Sequence, residues 1–501
     1  MASTLKHKIG FALLLLLLTA GALLVHGYHP FVEDAEIYLP TVESLLDSRL
    51  FPVGREFFGT QASLTLFPNL IAWSIHAAHV PLEYGLFVWH ATSIFLLLLG
   101  CWQLSGMLFK NLPARAGSVC LVAALLTIPV AGTALYIMDQ YLNPRNLAAF
   151  AGVFALGWTL KKKYLPASLC LLFSACVHPL MTAFTFSLCA LLLMAERFEQ
   201  RDEYRFSRAR AANGIALLLP FGISLSTPNS PAYHAAAMRH GFHYIQLWQW
   251  YEWVGILAPV LLFWWFARIA RASQRLELER VCRALIVYDL VFFFAALALD
   301  LPARFESLAR LQPLRSLHLL YILLFVIIGG LLGEVVLKSR LWRWALLFVP
   351  LATGMFLAQR SLFAASSHID LPGRPLRNPW AQAFMWVREN TPVDAAFAMD
   401  PSFLQLPGED EYGFRCLAER SRLADTIKDS GTVSMFPPLA EHWFEEIQDQ
   451  TPWKEFHPAD FNRLRTKYGV NWIILQQPGT GGLDCAYENT AVKVCRVREM
   501  P

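Results

Sequence analysis

Three carboxylates stand within four residues, shortly after the first apolar segment. The stretch reads Phe31-Val-Glu-Asp-Ala-Glu-Ile-Tyr38, and it contains Glu33, Asp34 and Glu36. Acidic side chains that cluster beside a membrane helix rarely serve as a lipid-facing surface alone. A carboxylate in such a place can orient a hydroxyl group or accept its proton. The stretch therefore predicts the start of an active site at a membrane face, and a solvated loop face is the alternative interpretation.

Polar side chains recur at the ends of later apolar segments. The sequence Asp139-Gln-Tyr-Leu-Asn-Pro-Arg145 lies between two such segments, and His178-Pro179 lies between two more. A later segment is preceded by the arginines Arg304, Arg310 and Arg315. Outer loops of membrane proteins disfavour basic residues, whereas guanidinium groups bind phosphoryl oxygens through paired hydrogen bonds. Arg145 and the later arginines, together with His178, therefore predict a phosphate-binding site at the outer side of the membrane.

Each of these residues also has a plain structural role open to it. Asp139 and Arg145 can form a loop ion pair or a helix cap, and His178 with Pro179 can turn the chain between two short spans. The arginines before the later segment can contact lipid headgroups. The placement of all these residues at one side of the predicted membrane domain favours the functional interpretation.

The composition is typical of a polytopic membrane protein. Hydrophobic residues make up 55% of the 501 residues and charged residues 16%. Many apolar runs approach the ~20 residues that a helix needs to cross a bilayer. Eleven α-helical spans are predicted near 9–27, 83–109, 115–137, 145–160, 164–178, 180–196, 210–227, 251–269, 281–299, 316–337 and 341–358. The formal net charge of +4 gives no reason to expect a nucleic-acid partner.

The distribution of basic residues orients these spans. When Lys6 and Lys8 are cytoplasmic, Lys161–Lys163 and most other basic loops are cytoplasmic too, as the positive-inside rule requires. A crossing at Ala62–Val80 would reverse that order, so this apolar segment is predicted to lie flat on the outer surface. The predicted location is the plasma (inner) membrane, with a cytoplasmic N-terminus and an extracytoplasmic, periplasmic C-terminal domain.

The first apolar segment is predicted to remain as a membrane helix. A cleaved signal peptide is the alternative, because a basic start is followed by the small residues of Thr19–Ala22. The apolar run continues to Val25, which makes it longer than the short apolar region of most signal peptides.

The character of the sequence changes near Leu371. Residues 1–370 form the predicted membrane domain, whose acidic first outer loop spans 28–82, and residues 371–501 form a predicted soluble α/β domain. Helices are predicted at Trp380–Asn390, Pro438–Gln448 and Phe461–Tyr468, and strands at Ala395–Met399, Asn471–Leu475 and Ala491–Val497.

The cysteines and basic residues of this domain allow two predictions, one about a disulfide and one about a solvated surface. Cys485 and Cys495 flank a predicted hairpin in an oxidising compartment, so they are predicted to form a disulfide, with Cys416 as a competing thiol. A solvated face is the favoured interpretation of the cationic residues Arg415, Arg420 and Lys428, and contacts with a phosphate or an acceptor are the alternative.

Taken together, these features resemble the GT-C superfamily of integral membrane glycosyltransferases, which use polyprenyl-phosphate sugars. The features are a long first helix, an acidic motif at its outer end, an amphipathic outer helix, a second aspartate in the next outer loop and a soluble C-terminal domain. The resemblance covers residues 1–200 best. It implies that Asp34 lies at the catalytic centre, with Glu33 or Glu36 as competitors, and that Asp139 is the second acid.

The sequence is also similar to a group of uncharacterised bacterial multi-pass membrane proteins. They share an acidic first loop, a second loop of the pattern Asp-x-Tyr-x-x-x-Arg, here Asp139 to Arg145, and an intramembrane His-Pro pair, here His178-Pro179.

The predicted function is that of an inverting glycosyltransferase of the bacterial cell envelope, which moves a sugar from a polyprenyl-phosphate carrier to an acceptor on the extracytoplasmic side. A membrane transporter and a non-catalytic assembly protein are the alternatives, although polar groups gathered at one face favour surface chemistry over translocation. A divalent metal bound by Asp34, Asp139 and His178 stays open, but no zinc-type spacing occurs and no metal is predicted.

Overall fold

A computed structural model describes residues 2–201, 230–300 and 308–497. Ten helices in the described part of the chain coincide with predicted spans. They are α1 (Ala2–His26), α5 (Leu82–Leu108), α6 (Leu112–Ala124), α7 (Pro144–Leu160), α8 (Tyr164–Val177), α9 (Pro179–Arg201), α11 (Trp250–Ala272), α12 (Leu276–Asp300), α13 (Leu317–Leu332) and α14 (Leu341–Leu362). The predicted span 210–227 lies outside the described residues.

Six segments of the described chain are helical, long and apolar enough to cross a membrane, which makes this an integral membrane protein. They are Leu82–Leu108, Pro179–Arg197, Trp250–Ala272, Leu276–Asp300, Leu308–Leu337 and Leu341–Leu362. α6 and α13 pack closely: a Cβ atom added at Gly117 would lie 2.3 Å from the carbonyl oxygen of Gly329. Glycines at such crossings let two backbones approach, as is common between membrane helices.

The prediction for 115–137 was wrong in its second half, because α6 ends at Ala124. Pro129 and Gly132 interrupt the apolar run, and neither favours a helix interior. The chain folds back on itself instead: Val130 N donates to Leu135 O, and Met138 N donates to Leu126 O. This excursion satisfies buried backbone groups and delivers Asp139 to the start of α7.

Three short helices lie between α1 and α5. They are α2 (Ala35–Leu46), α3 (Glu56–Ala62) and α4 (Phe67–Ala78). α4 occupies most of the apolar segment for which no crossing is predicted, and its 12 residues reach about 18 Å, short of a ~30 Å hydrocarbon core. Trp73 on α4 is exposed.

The C-terminal domain combines a mixed sheet with short helices. The strands are β1 (Ala396–Met399), β2 (Ser421–Arg422), β3 (Trp472–Gln476), β4 (Asp484–Glu488) and β5 (Val492–Arg496), in the order β2-β1-β3-β5-β4. β1 pairs in parallel with β2 and β3, whereas β5 pairs antiparallel with β3 and β4. The helices are α15 (Pro379–Asn390), α16 (Phe414–Ala418), α17 (Lys428–Met435), α18 (Ala440–Asp449) and α19 (Pro458–Tyr468), while α10 (Pro231–Ala237) precedes α11 and packs against α17 and α18.

The predicted strands and helices of this domain coincide with β1, β3, β5, α15, α18 and α19 to within a few residues. Sequence reasoning missed the two-residue strand β2 and the helices α16 and α17. Cys485 lies opposite Cys495 in the β4–β5 ladder, and the two side chains form a disulfide. Cys416 is buried and free.

Candidate active site

A cavity of about 1110 Å³ lies where the C-terminal domain meets the loops between the membrane helices. Its polar wall combines both signs of charge. The acidic members are Glu33, Asp34, Asp139, Asp410 and Glu411, and the basic members are Arg145, Arg239, Arg310, Arg315 and Lys428. The cavity therefore gathers charged groups from six separate stretches of the chain at one end of the helices.

The acidic stretch is held in place by a short backbone pairing with the C-terminal domain. Glu33 N donates to Glu411 O at 2.9 Å, and Gly413 N donates to Phe31 O at 2.8 Å. A Cβ atom at Gly413 would lie 2.5 Å from a carboxylate oxygen of Glu36, so the close approach requires glycine. The pairing fixes the position of Asp34, which is the N-cap of α2.

Asp34 lies between two cationic groups. Its Oδ1 is 3.2 Å from Lys428 Nζ and its Oδ2 is 3.9 Å from Arg145 Nη2. Burial opposes ionisation of this carboxyl group, but Lys428, Arg145 and Arg315 outweigh it and lower the pKa of Asp34 to about 2. About a third of the side chain still faces the cavity. Asp34 is thus a permanently charged, accessible carboxylate at neutral pH.

Asp139 and Arg145 bring the second loop to the same place. Arg145 Nη2 donates to Asp139 Oδ2 at 2.8 Å, and Asn143 Nδ2 donates to the same oxygen at 2.5 Å. Asn143 also caps α7, because its side chain accepts a hydrogen bond from Asn146 N. Asp34 and Asp139 therefore contact the same guanidinium group, which is the proximity that one shared site demands.

Arg315 contributes a further guanidinium group to the cavity wall. It precedes α13 in a 3₁₀ turn, Pro313–Ser316, and lies 5.9 Å from the centre of the Phe242 ring. Among the described residues it forms no salt bridge, and its buried Nε atom has no hydrogen-bond partner. A partly buried cation that lacks a carboxylate partner is poised to bind an anion.

The other predicted phosphate ligands are placed as follows. Arg310 lines the cavity, and its Nη1 donates to Met435 O at 3.3 Å. His178 lines it at the α8–α9 turn, where its Nδ1 is 3.5 Å from Met181 N. Arg304 lies outside the described residues.

Glu36 was predicted as a catalytic acid, but the structure places its side chain away from the cavity. It is fully buried, and its Oε1 accepts from Arg422 Nη2 at 2.9 Å while its Oε2 accepts from Cys416 N at 3.2 Å. α2 turns the side chain to the opposite side from Asp34, two residues earlier. Glu36 thus belongs to a sealed ionic network with Arg415, Arg422, Asp425 and Asp429.

Arg415, Arg420 and Lys428, for which a solvated face was the favoured interpretation, are buried instead. Arg415 forms a double hydrogen bond with Asp429, at 2.8 and 3.0 Å, and Arg420 donates to the carbonyl oxygens of Arg388 and Thr391 at 2.7 Å. Lys428 reaches the cavity, where it also contacts Glu33.

Glu411 is a cavity residue that the sequence does not single out. Its carboxyl group is hydrogen-bonded to that of Glu33, and burial together with Glu33 raises the pKa of Glu411 to about 9. Both residues adopt left-handed backbone angles, with φ of 56° for Glu33 and 61° for Glu411. Such strain in non-glycine residues is concentrated at functional sites. The only sequence signal was a second acidic run, Glu409 to Glu411, in a loop.

A further part of the cavity wall is apolar and comes from two membrane helices. Its side chains are Leu180, Ala183, Phe184 and Phe186 of α9 and Phe292, Ala295 and Leu299 of α12. Phe186 is half exposed, so this wall continues onto the outer surface of the helices. A molecule that fills the cavity therefore meets charge at one end and hydrocarbon at the other.

The charged end does not form a ready metal site. Within residues 2–201, 230–300 and 308–497, no three His, Cys, Asp or Glu side chains are arranged to hold one ion. Arg145 lies between the carboxylates of Asp34 and Asp139, and its positive charge opposes a cation at that point.

The bundle of apolar helices and the small C-terminal sheet define a polytopic membrane protein with a C-terminal α/β domain. The predicted fold class, a polytopic α-helical membrane protein with a C-terminal α/β domain, is confirmed. The chain is similar in structure to arabinofuranosyltransferase AftD from Mycobacteria, solved by single-particle cryo-electron microscopy, with a TM-score of 0.50 and 13% sequence identity.

That similarity covers 98% of this chain and 40% of AftD, so the chain spans less than half the length of the mycobacterial protein. No protein-family model matches the sequence, and no curated protein sequence matches it.

Proposed function

We propose that the protein is an inverting glycosyltransferase that takes a sugar from a polyprenyl-phosphate donor. The observation that carries the proposal is that one cavity with an apolar wall is lined by both Asp34 and Arg315, and Arg315 has no salt-bridge partner among the described residues. A lipid-linked sugar phosphate has the matching chemistry: a hydrocarbon chain, an anionic phosphate and a sugar carbon to be attacked. The fold shared with AftD supports the same class of activity.

The donor would lie with its chain along α9 and α12 and its phosphate at the charged end. Arg315 supplies a free guanidinium group for the phosphoryl oxygens, and Arg145 supplies a second cation nearby. As the bond between the sugar's anomeric carbon and the phosphate oxygen breaks, negative charge grows on the phosphate. Fixed guanidinium groups stabilise that charge in the transition state more than in the ground state.

Asp34 would receive the acceptor hydroxyl group on the opposite face of the sugar. A carboxylate whose pKa is about 2 is a weak base, so it first orients the hydroxyl group by accepting its hydrogen bond. The proton leaves the oxygen only when its bond to the anomeric carbon is well advanced, passes to Asp34 and goes on to water. Attack from the face opposite the phosphate inverts the configuration at that carbon.

The reaction is assigned to the extracytoplasmic side of a bacterial inner membrane, with the N-terminus in the cytoplasm. Support comes from the basic loops, which the positive-inside rule assigns to the cytoplasm when the cavity faces outward. Both the α/β domain, from about residue 371, and the cavity would then be periplasmic, and the product would belong to the cell envelope. The cavity lies at the end of the helices, which suits surface transfer better than a transport path through mid-depth.

The direct test is sugar transfer by purified protein in lipid nanodiscs. A panel of polyprenyl-phosphate sugars that includes an arabinofuranosyl donor, because AftD carries that name, is incubated with cell-envelope glycan acceptors and analysed by mass spectrometry. We expect a glycosylated product and free polyprenyl phosphate with the wild type, and at least about 100-fold slower formation of both with Asp34→Asn. The proposal is wrong if no donor of this class is consumed, or if Asp34→Asn consumes it at the wild-type rate.

A further inference from the structure

Lys428 brings a fixed positive charge from the C-terminal domain to the acidic stretch. Its ammonium group contacts a carboxylate oxygen of Glu33 and lies 3.2 Å from Oδ1 of Asp34. An ammonium group is a compact cation with three donors, and two of them are directed at the acids of the predicted catalytic stretch.

The lysine approaches these acids from the protein side. Its side chain is only 10% exposed, whereas the side chains of Glu33 and Asp34 are 37% and 31% exposed toward the cavity. The carboxylates therefore keep free oxygen surface for a substrate while their inner oxygens are neutralised. A cation placed behind two acids orients them without blocking them.

The position of this ammonium group is built by the sealed ionic network behind it. Lys428 begins α17, and its backbone N donates to Oδ1 of Asp425 at 2.6 Å. Asp425 is in turn bonded to Arg422, which also binds Glu36. Glu36 is joined through α2 to Asp34, so the chain of contacts closes on the acidic stretch itself. The fold thus holds Lys428 and Asp34 at a set separation.

We propose that Lys428 is the fixed cation of this active site: it positions Asp34 and Glu33 and occupies the place where a divalent metal ion would otherwise bind these two acids. The inference rests on the proposed function for its catalytic consequence, but its geometric part does not. Lys428 is a positioning residue, because it acts on the substrate through Asp34.

Metal binding tests the geometric part without any activity assay. Wild-type protein and Asp34→Asn in nanodiscs are titrated with Mn²⁺, and bound Mn²⁺ is followed by electron paramagnetic resonance. Because the ammonium group already neutralises the two carboxylates, we expect both proteins to give the same titration. A wild-type Mn²⁺ site that disappears in Asp34→Asn would overturn the inference.

Substitution of Lys428 tests the catalytic part. Lys428→Met keeps most of the length of the side chain but removes its charge, and we expect kcat/KM to fall about 100-fold because Asp34 loses its alignment. Lys428→Arg keeps the charge and is expected to retain activity within about 10-fold of wild type. Lys454→Met, on an exposed stretch of the same domain, is the matched control and should leave activity unchanged.

Equal losses of kcat/KM in Lys428→Met and Lys428→Arg would show that the positive charge is not required at this position. A wild-type kcat/KM in Lys428→Met would contradict the proposed positioning role. If Lys428→Met does not fold, the Lys428→Arg rate and the wild-type Mn²⁺ titration still decide. Absence of transfer by the wild type would count against the proposed function alone, because the Mn²⁺ result is independent of it.

Discussion

Asp34 and Glu36 belong to one acidic stretch, yet they have different surroundings. Asp34 is about a third exposed to the cavity, whereas Glu36 is fully enclosed and bonded to Arg422 and Cys416. Their cationic neighbours differ in the same way. Arg315 at the cavity has no counter-ion among the described residues, whereas Arg422 contacts Glu36, Asp425 and Asp429.

The difference separates acids that are available to a substrate from acids that build the scaffold. In the sealed network each charge already has a partner, so no charged group is free to bind a ligand. Breaking the network lowers the stability of the fold. At the cavity, by contrast, the guanidinium group of Arg315 has no carboxylate partner among the described residues, so it can bind an anion. Substitutions at the two carboxylates should therefore have opposite effects on activity and on stability.

The largest expected effect is on catalysis at Asp34. Asp34→Asn keeps the shape of the side chain but removes the charge that orients the acceptor, and we expect the transfer rate to fall by about 10²- to 10⁴-fold. The unfolding temperature should change little, because the side chain is partly exposed. Radiolabelled sugar transfer and differential scanning fluorimetry on the same preparation check both halves. A loss of activity that merely follows a loss of folded protein would contradict the prediction.

Glu36→Gln should show the reverse. The substitution removes one charge from a buried network, and we expect a loss of about 3–5 kcal/mol in the free energy of unfolding. The folded fraction should keep a transfer rate within a few-fold of wild type. Glu56→Gln, at a half-exposed contact with His442, is the control and should be nearly neutral. A stable Glu36→Gln protein with no activity would contradict this prediction and would indicate that Glu36 acts in the active site.

The disulfide should contribute a smaller and purely structural amount. Replacing both Cys485 and Cys495 by serine is expected to lower the stability of the C-terminal domain by roughly 2–3 kcal/mol, because the unfolded loop is no longer constrained. Neither residue lines the cavity, so transfer should persist at temperatures where the variant is folded. Mass spectrometry of the unreduced wild type should find the linked peptide, and free thiols at both positions would refute the bond.

The smallest expected effect is a pH dependence of stability from Glu411. The pKa of Glu411 is raised from 4.5 to about 9 in the folded protein, so the folded state holds this proton more tightly than the unfolded chain between those pH values. The side chain is exposed to the cavity, so solvent screens the interaction and keeps its contribution to stability small. Stability from this group is therefore lost as pH rises through that window. The glutamine of Glu411→Gln stays neutral at every pH. The unfolding temperature of this variant, relative to that of the wild type, should therefore rise between pH 5 and pH 9. Glu441→Gln, exposed on α18, should show no such gain.

The membrane helices could be predicted because a long apolar run leaves a chain few other structures in a bilayer. The excursion after Ala124 could not, because its residues are as apolar as a span, and only Pro129 and Gly132 mark the break. Asp34, Asp139, Arg145 and Arg315 were singled out because of their common placement at helix ends, and all four line the cavity. The contact between Lys428 and Asp34 was not predicted, since 394 residues separate the two and no local pattern records the contact.

The same limit explains Glu36. Glu33, Asp34 and Glu36 look alike in the sequence, and only the start of α2 after Asp34 determines which of them face the cavity. The identity of a buried partner such as Arg422, 386 residues away, is a property of the tertiary fold.

Binding of polyprenyl phosphate without a sugar tests the central claim most directly. Native mass spectrometry of the protein in nanodiscs can compare wild type, Arg315→Gln and the control Arg49→Gln, whose exposed side chain pairs with Asp47. The account predicts that the wild type and Arg49→Gln bind the lipid phosphate, and that Arg315→Gln binds it at least about 10-fold more weakly, since one charge-assisted phosphate contact is worth ~1.5–3 kcal/mol. Equal binding by Arg315→Gln and wild type would contradict it.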